Sequence, residues 1–312
     1  MGRNNRQHHP QEDRIVRREN RGNETVGLME FVAGFMPDAK RNDLKKWLKY
    51  GHLMVDGIVS KGFDTPVEPG SLVELNLSRP FVTFQHRRLE LVYEDDDIIV
   101  VNKGYGLLSV GTGRPGADGK VKKEETAYNI LKDYVKQKNP ANKIFVVHRL
   151  DRDTSGLMMF AKSIEAQTAM QHNWNNMVLS RKYVAVVEGV VEAPEGVIES
   201  NLEETGSFHV YSTHEQGEGK KAVTRYKVLQ RGRTSTLVEF NLDTGRKNQI
   251  RVHSSDIGHP IVGDRKYGAA ASSLHRLALH ARSLSFAHPM TRKYMNFETP
   301  IPTKFIGFVR HS

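Results

Sequence analysis

The segment Val147-His148-Arg149-Leu150-Asp151-Arg152-Asp153-Thr154-Ser155-Gly156-Leu157 lies between two apolar runs, residues 145–147 and 157–160, each of strand length. Polar and turn-forming residues therefore interrupt two predicted strands, and the chain should make a polar excursion at a sheet edge or in a cleft. Spacing alone favours the plain interpretation, a solvated turn with an Asp or Thr cap. Any function for the segment depends on what surrounds it.

The apolar runs elsewhere favour a sheet of mixed or antiparallel strands. Strand-like runs occupy residues 91–93, 98–103, 183–187, 223–228 and 237–242, whereas a helical stripe covers residues 126–136. Strands outnumber helices, and the two do not alternate regularly. We therefore predict an α+β fold with a mixed or antiparallel sheet over residues 89–312, and not a doubly wound sheet.

Composition restricts the classes of function. The 312-residue chain has 46 Lys and Arg against 36 Asp and Glu, a formal net charge of +10, and no cysteine. The positive excess favours a polyanionic partner. The absence of cysteine excludes disulfide scaffolds, thiolate zinc sites, iron–sulfur clusters and cysteine nucleophiles. No apolar run approaches the roughly 18 residues of a membrane span, and the N-terminus has no apolar core, so we expect a cytoplasmic protein without membrane contact.

The positive charge is concentrated in parts of the chain. Residues 1–22 carry +3 without apolar periodicity, and we assign residues 1–24 to a flexible basic arm. Residues 23–86 carry −1 and residues 87–312 carry +8. Within residues 23–86, however, five of the seven positive charges fall between Lys40 and Lys49. Local clustering therefore outweighs the net charge of that part.

A small helix-and-hairpin domain is predicted around this cluster. Leu44, Trp47 and Leu48 have amphipathic helical spacing, and Gly51 ends the helix. The pair Asp56-Gly57, between two short apolar runs, is a strong hairpin signal. Taken alone, the lysines of this helix are as readily a solvated face as a binding surface.

The stretches 39–57 and 69–73 resemble an S4 RNA-binding domain, which would cover residues 25–80. The resemblance implies that the basic helix face grips RNA backbone through Arg41, Lys45 and Lys49. Such contacts position a protein on RNA without reading its sequence. Residues 81–88, which have no clear periodicity, would be the linker to a catalytic domain at residues 89–312.

Two features that suggest a cofactor or a metal have the wrong context. Residues 111–116 spell GxGxxG, but the third Gly follows a Pro and leads into a polar stretch, so no helix N-terminus is available for a pyrophosphate. His148, His253 and His259 lack a closed set of metal ligands. We therefore predict a glycine-rich loop, structural histidines, no metal and no cofactor.

Residues 148–156 resemble the signature His-Arg-Leu-Asp-x-x-Thr-Ser-Gly of the RluA family of pseudouridine synthases and match it at every fixed position. Further family blocks correspond to residues 102–107, 181–189 and 244–264. Gly104 stands where the family has Pro, and Asn248 where it usually has His. The resemblance implies a mixed or antiparallel-sheet catalytic domain preceded by a small α/β S4 domain, the arrangement of members that modify large-subunit ribosomal RNA.

This resemblance implies isomerisation of uridine to pseudouridine in RNA. The uracil N1–C1′ bond is broken and C5 is joined to the same sugar carbon, with no cofactor. Asp151 would be the catalytic carboxylate, which either attacks C1′ or removes the C2′ proton. Asp153 is the rival acid, and on an extended stretch the two side chains would point to opposite faces, so that only one faces the cleft.

The resemblance assigns roles to three more residues, Arg251, Tyr183 and Arg149, and positive charge suggests a role for Lys103. Arg251 would pair with the catalytic aspartate, and the spacing around it predicts a short helix that has Arg251 in its first turn. Tyr183 would stack on the target uracil. Arg149 would enter the space that the flipped base leaves, and Lys103 would contact a phosphate near the cleft. A structural arginine and a core tyrosine are the plain alternatives.

We predict a structured RNA partner, with 23S rRNA favoured over tRNA, and a monomer by default. The competing hypothesis is a non-catalytic S4-type RNA-binding or ribosome-assembly protein, which would not need Asp151, Tyr183 and Arg251 together. A glycoside hydrolase would need a second acid in the site. No pattern in the sequence identifies the uridine.

Overall fold

The chain divides into two units. The computed structural model describes residues 14–111, 124–206, 209–213 and 219–312. The described residues up to Phe84, with Gln137–Asn139, form the smaller unit, and Gln85–Lys136 with Pro140–Ser312 form the larger. No described residue between 77 and 88 belongs to a helix or a strand. Of the glycine-rich segment 111–116, all but Gly111 lies outside the described residues.

The smaller unit contains two helices and six short strands. They are β1 (Ile15–Glu19), β2 (Val26–Gly27), α1 (Leu28–Phe35), α2 (Arg41–Tyr50), β3 (Leu53–Val55), β4 (Ile58–Val59), β5 (Pro66–Val67) and β6 (Leu72–Asn76). Four strands form a sheet in the order β1-β6-β3-β4, and β2 pairs separately with β5. Buried side chains of α1, α2, β3 and β6 make a common apolar core.

The predicted helix and hairpin are confirmed. Helix α2 buries Leu44 and Leu48, and it ends at Gly51, which has the left-handed φ of 77° that a helix-ending glycine adopts readily. Asp56 and Gly57 have φ angles of 49° and 80° and form the two-residue turn between β3 and β4. Positive φ at both central residues is the requirement that makes Asp-Gly a hairpin sequence.

The predicted flexible arm over residues 1–24 differs from the structure in part. Residues 1–13 lie outside the described residues, but Ile15–Glu19 forms strand β1, antiparallel to β6. The Arg17 guanidinium donates to the Glu74 carboxylate across this pair, at 2.6 Å. A charged strand can pair at a sheet edge because the backbone supplies the hydrogen bonds. Strand β1 could therefore not be predicted from the charge of this segment or from its lack of apolar periodicity.

The larger unit is built on one long sheet. Its elements are β7 (Leu89–Glu94), β8 (Ile98–Lys103), α3 (Ala127–Lys138), β9 (Phe145–Val146), β10 (Ser155–Ala161), α4 (Ile164–His172), α5 (Trp174–Met177), β11 (Val178–Glu188), β12 (Glu195–Glu204), β13 (Val210–Thr213), β14 (Lys220–Arg231), β15 (Ser235–Leu242), α6 (Gln249–Asp256), β16 (Leu279–Ala287), β17 (Tyr294–Glu298) and α7 (Thr303–His311). A single 3-10 turn, Arg265–Tyr267, follows α6.

The sheet is mixed, as predicted. Its order is β13-β12-β14-β15-β11-β16-β10-β8-β7, with β17 paired to β16 and β9 to β10. Among the strand pairs of the described residues, β10 and β16 are parallel and the others in this sheet are antiparallel. Helix α7 packs on β11 and β15, and α6 packs on β12, β13 and β14. No helix in the described ranges is long and apolar enough to cross a membrane.

The parallel pairing of β10 with β16 depends on Gly156. Gly156 pairs with Ala281 and has a φ of +117°, and a Cβ placed on it would lie 2.2 Å from the Ala281 carbonyl oxygen. The backbones approach so closely that only glycine fits. The polar segment ends at this pairing, so the turn that carries Asp151 lies at the start of β10, a strand that runs between β16 and β8.

Candidate active site

Asp151, Tyr183 and Arg251 line one cavity of about 440 Å³ in the larger unit. Arg149 and the loop of residues 245–248 form much of the remaining wall. The turn before β10 supplies Asp151, β11 supplies Tyr183, and the first turn of α6 supplies Arg251. The fold therefore brings together three site residues that lie far apart in the sequence, and the predicted short helix around Arg251 is confirmed.

Backbone anchors on both sides fix the turn that carries Asp151. The Ser109 hydroxyl donates to the Leu150 carbonyl at 2.6 Å and lies 3.1 Å from the Leu150 amide nitrogen, from which it accepts. The Arg152 carbonyl accepts from the Gly106 amide at 2.9 Å and from the Lys103 ammonium at 3.1 Å. The Asp151 carboxylate itself stays partly open, with 36% of its side chain exposed. A reactive group is thus held on a rigid turn.

Lys103 is one of these anchors and not a surface cation. Its side chain is buried, and its ammonium donates to the carbonyl oxygens of Gly104, Leu107 and Arg152 at 3.2, 2.8 and 3.1 Å. Burial lowers the pKa of Lys103 to about 8, although nearby carboxylates oppose the shift. The prediction that Lys103 contacts an RNA phosphate is wrong, because no face of the ammonium is left for one.

Asp153 faces away from the cavity of Asp151. It pairs with the neighbouring Arg152, with both nitrogen–oxygen distances at 3.1 Å, and lines a second cavity. The residues do not form the extended stretch that we considered, because Arg152 and Asp153 lie in a turn closed by the Thr154 amide donating to the Asp151 carbonyl. The separation of the two acids nevertheless holds, and Asp151 is the one that faces Tyr183.

Arg251 has a stronger partner than Asp151. Its guanidinium donates twice to the buried Asp264 carboxylate, at 2.7 Å each, and once to the Asn248 side-chain oxygen at 3.1 Å. The nearest Arg251–Asp151 nitrogen–oxygen distance is 3.8 Å. Burial lowers the pKa of Arg251, but the bonds to Asp264 and the charges of both aspartates reverse this and raise it. Arg251 is therefore a fixed cation beside Asp151.

Tyr183 lies in the middle of the sheet with its phenol directed into the cavity. Strand β11 runs between β15 and β16, and Tyr183 is opposite Phe240 on one side and Ala281 on the other. Burial raises the pKa of Tyr183, Arg181 opposes this, and Asp151 adds to it. The phenol is consequently neutral at physiological pH, and its partly buried ring forms an apolar wall next to Asp151.

Comparison with known proteins identifies the family of the chain that carries this site. Residues 97–256, about half of the chain, match the sequence family described as RNA pseudouridylate synthase. The chain belongs to this RNA pseudouridylate synthase family. It is thus an isomerase that acts on RNA, and the comparisons support the catalytic interpretation over a non-catalytic RNA-binding protein.

Relatives of this synthase match it over most of its length. Ribosomal large subunit pseudouridine synthase D of Pseudomonas aeruginosa is 36% identical over 296 residues, covering 89% of each chain. The uncharacterized RNA pseudouridine synthase YlyB of Bacillus subtilis is 35% identical over 280 residues, covering 88% of this chain and 89% of YlyB. The solved human RNA pseudouridylate synthase domain containing 4 has a TM-score of 0.56 at 25% identity, covering 70% of this chain and 90% of that one.

The two departures of the synthase from the family pattern have local reasons. Gly104 donates its amide to the Arg88 carbonyl at 2.7 Å, a bond that the Pro of the family is unable to make. Asn248 has a φ of 55° at the start of α6, a conformation that Asn tolerates well, and its amide nitrogen donates to the Tyr267 hydroxyl at 3.0 Å. Asn248 lines the cavity of Asp151, and the Gly104 carbonyl is one of the three that accept from Lys103.

Asp264 and Ser109 are the site residues that sequence reasoning missed. Asp264 lies in the block of residues 244–264, but nothing in the local pattern shows that its carboxylate meets Arg251, 13 positions earlier. Ser109 contacts Leu150 across 41 positions. Only a structure brings such pairs together. The signal available for Asp264 was an acid directly after the short apolar run 260–262 and Gly263.

Arg149 and the basic residues of α2 are exposed. Arg149 lies at the wall of the cavity, with its side chain accessible. In the smaller unit, Arg41, Lys45 and Lys49 are exposed on α2, opposite its buried leucines. The Lys49 ammonium lies 5.4 Å from the centre of the Tyr50 ring, which is itself exposed. These side chains are accessible to an RNA ligand.

The histidines considered as metal ligands have structural partners, as predicted. The ring of His148 accepts from the Met159 amide at 3.1 Å, and burial lowers the pKa of His148 to about 3. His253 and His259 bond to hydroxyl and carbonyl groups. Each of these rings is used inside the fold.

One cluster in the described part of the chain has metal-like spacing. The ligand atoms of Asp95, Asp97 and His288 lie within 4.8 Å of one another. The Asp95 carboxylate, however, already accepts from the amides of Asp97 and Ile98, from the Tyr93 hydroxyl and from the His288 ring, at 2.8 to 3.0 Å. These bonds stabilise the turn between β7 and β8, which lines neither of the two cavities.

Proposed function

We propose that this synthase isomerises a uridine of large-subunit ribosomal RNA, with Asp151 as the catalytic carboxylate. The observation that carries the proposal is the environment of Asp151. It is the one acid among the residues that line its cavity, and it shares that cavity with Tyr183 and Arg251. A glycoside hydrolase would need a second carboxylate there.

Four cations surround Asp151. Arg149, Arg246, Lys247 and Arg251 line the same cavity. An ionised carboxylate is required both for attack on C1′ and for removal of the C2′ proton. In either route the N1–C1′ bond breaks, which leaves an Asp151 ester at C1′ or a glycal with the C2′ proton on Asp151. The base then turns, and C5 bonds to C1′ as the ester bond breaks or as the glycal regains its C2′ proton. C5 loses its proton and N1 gains one, so the product is an isomer of uridine.

Tyr183 is proposed to contact the target uracil, and Arg149 the RNA strand from which it flips. The neutral Tyr183 ring is suited to stack on the detached uracil and to confine it while it turns. The exposed Arg149 guanidinium is suited to occupy the space that a flipped base leaves, because it is planar and binds phosphate. Flipping costs a few kcal/mol, which binding of the strand must offset.

The smaller unit is proposed to act as an S4-type tether. Arg41, Lys45 and Lys49 would contact phosphates, which supply affinity without sequence readout. Large-subunit RNA is favoured over tRNA because relatives such as the Pseudomonas aeruginosa enzyme carry that substrate in their name. The enzyme is proposed to act as a monomer and without a cofactor or a metal.

Mapping pseudouridine in cellular RNA tests this function. Ribosomal RNA and tRNA from cells with and without the gene are compared, and the deletion is complemented with the wild-type, Asp151→Ala or Asp153→Ala gene. We expect a large-subunit site to disappear on deletion and to return with wild type and Asp153→Ala but not with Asp151→Ala. An unchanged modification pattern, or restoration by Asp151→Ala, would contradict the proposal.

A further inference from the structure

A second cavity, of about 510 Å³, adjoins the first in the larger unit. Arg251 lines both cavities, and Asp153 lines the second only two positions after Asp151 lines the first. An RNA strand that places one nucleotide beside Asp151 therefore has its next nucleotide within reach of this second cavity. Apart from Asp264, which holds Arg251, the proposed mechanism uses none of the second cavity's other side chains.

The second cavity has an excess of positive charge. Five of its lining side chains are Arg or Lys and two are Asp. The two acids are already paired, Asp153 with Arg152 and Asp264 with Arg251. No carboxylate of the described residues pairs with Arg265 or Arg276, although both line the cavity. The cavity is therefore suited to an anion and not to a metal ion.

An exposed aromatic ring lies on the wall of this charged cavity, beside Arg276. The Arg276 Cζ atom lies 5.0 Å from the centre of the Tyr105 ring and 5.2 Å from the centre of the buried Phe305 ring. Arg276 is fixed by donating to the Ser155 hydroxyl at 2.7 Å. Tyr105 is 41% exposed, and its hydroxyl donates to the His275 carbonyl at 3.3 Å. Tyr105 thus presents a fixed, partly exposed aromatic surface.

A flat ring beside unpaired cations is the chemistry that recognises a nucleotide. Every base offers a face that stacks on an aromatic side chain, and stacking tolerates any sequence. Guanidinium groups bind phosphate oxygens through paired N–H donors. A free phosphate would not need the Tyr105 ring, and an apolar ligand would not need Arg265.

We propose that the second cavity binds the nucleotide next to the target uridine, with its base stacked on Tyr105 and its phosphate near Arg265. The inference rests on the proposed function, because the target uridine must occupy the cavity of Asp151. Holding the neighbouring nucleotide would keep the strand open after the uridine has flipped. The site would add affinity for the unstacked strand without selecting a particular base.

Binding of abasic RNA to the full-length protein tests this site. A stem-loop that wild type converts is prepared intact, without the base 5′ of the uridine, and without the base 3′ of it. Dissociation constants and pseudouridine formation are measured for wild type, Tyr105→Ala, Tyr105→Phe and the control Tyr294→Ala, an exposed tyrosine of β17 that lines neither cavity.

We expect wild type to lose about 5- to 150-fold in affinity for one of the two abasic RNAs. Tyr105→Ala should lose a similar factor on intact RNA and no more on that abasic RNA. Tyr105→Phe keeps the ring but not the bond to the His275 carbonyl and should lose less affinity than Tyr105→Ala, while Tyr294→Ala behaves as wild type. Equal affinity of wild type for all three RNAs would overturn the site. A further loss of affinity when Tyr105→Ala binds the abasic RNA would overturn it as well, because the missing base and the missing ring would then act independently. If wild type converts no uridine in any RNA, the proposed function itself fails.

Discussion

Asp264 determines where the Arg251 guanidinium points. Its carboxylate is almost fully buried and accepts two bonds from Arg251, while a third N–H group is bound by Asn248. What remains of the guanidinium faces Asp151 at 3.8 Å. The position of the cation is therefore set by a residue that lines the neighbouring cavity and not the one of Asp151.

We predict that Asp264→Asn lowers kcat about 10- to 100-fold with little change in KM, because Arg251 loses a charged partner and its fixed orientation. Single-turnover kinetics on a stem-loop RNA measures this. Asp243→Asn is the matched control, since Asp243 pairs with Arg225 on an exposed surface. A kcat unchanged by Asp264→Asn, or a fall of the same size in Asp243→Asn, would contradict the positioning role.

Lys103 and Lys45 are both cations in a family of RNA enzymes, but their environments differ. We predict that Lys103→Met lowers kcat about 10- to 100-fold through a looser Asp151 turn and leaves the salt dependence of RNA binding unchanged. Lys45→Met should leave kcat unchanged and reduce the slope of log affinity against log salt by about 0.7 to 0.9. Binding titrations over a range of salt concentrations measure both, and a lower slope in Lys103→Met would refute its burial as an anchor.

Much of the site was predictable at the residue scale because the motif carries it. Asp151, Tyr183 and Arg251 were named from matches to family blocks, and the fold brings them to one cavity. Lys103 was named from a block too, but its role was inferred from charge alone. Charge does not report burial, so a lysine that bonds to carbonyl oxygens inside the fold looked like a surface lysine.

At the scale of elements, the parallel pairing of β10 with β16 positions the turn that carries Asp151. We predict that Gly156→Ala destabilises the protein by at least about 3 kcal/mol, because a Cβ would collide with the Ala281 backbone and the φ of +117° would be strained as well. Gly258→Ala is the control, with a φ of +81° but nothing within 4 Å of its Cβ, and should cost only about 1 kcal/mol. Chemical denaturation measures the free energy of unfolding of both variants. Equal losses of stability would show that the positive φ alone, and not the close approach of β10 to β16, requires glycine at position 156.

Elements with local signals were predictable, whereas those set by pairing were not. The Asp56-Gly57 turn and the Gly51 helix end follow from conformations that these residues favour, and both were predicted. Strand β1 pairs with β6 across 57 positions at Arg17 and Glu74, and its own residues are mostly charged. Its partner, and not its sequence, makes it a strand.

At the scale of the whole molecule, buried histidines make stability depend on pH. Burial lowers the pKa of His280 to about 4 and that of His148 to about 3, from about 6.5 in the unfolded chain. Between pH 6.5 and 4 the two histidines therefore bind protons in the unfolded state but not in the folded state. Their contribution to the free energy of unfolding is complete above pH 6.5 and decreases as the pH falls below it.

We predict that the free energy of unfolding falls by about 3 kcal/mol for each of these two histidines between pH 7 and 4. Urea denaturation at a series of pH values measures the loss. His280→Gln should lose less stability over this range than wild type, whereas replacement of the exposed His172 by Gln should leave the pH profile unchanged. A His280→Gln profile parallel to that of wild type would contradict the assignment.

The positive charge of the whole molecule lies partly on exposed surfaces and partly around the two cavities. The net charge of +10 includes the exposed basic residues of α2 in the smaller unit and the cations that line two adjoining cavities in the larger one. The total predicted a polyanionic partner, but only the fold shows which cations are paired with acids. Asp151 is the one carboxylate of its cavity, and the proposed chemistry depends on it.

Pseudouridine formation by purified Asp151 variants tests that dependence most directly. Wild type, Asp151→Ala, Asp151→Asn and Asp153→Asn are each incubated in excess over a stem-loop RNA that wild type converts, and RNA binding is measured in parallel. We predict that both Asp151 variants bind RNA with affinity close to that of wild type and form no pseudouridine, while Asp153→Asn remains active. Conversion of the uridine by either Asp151 variant at a rate near that of wild type would contradict the account.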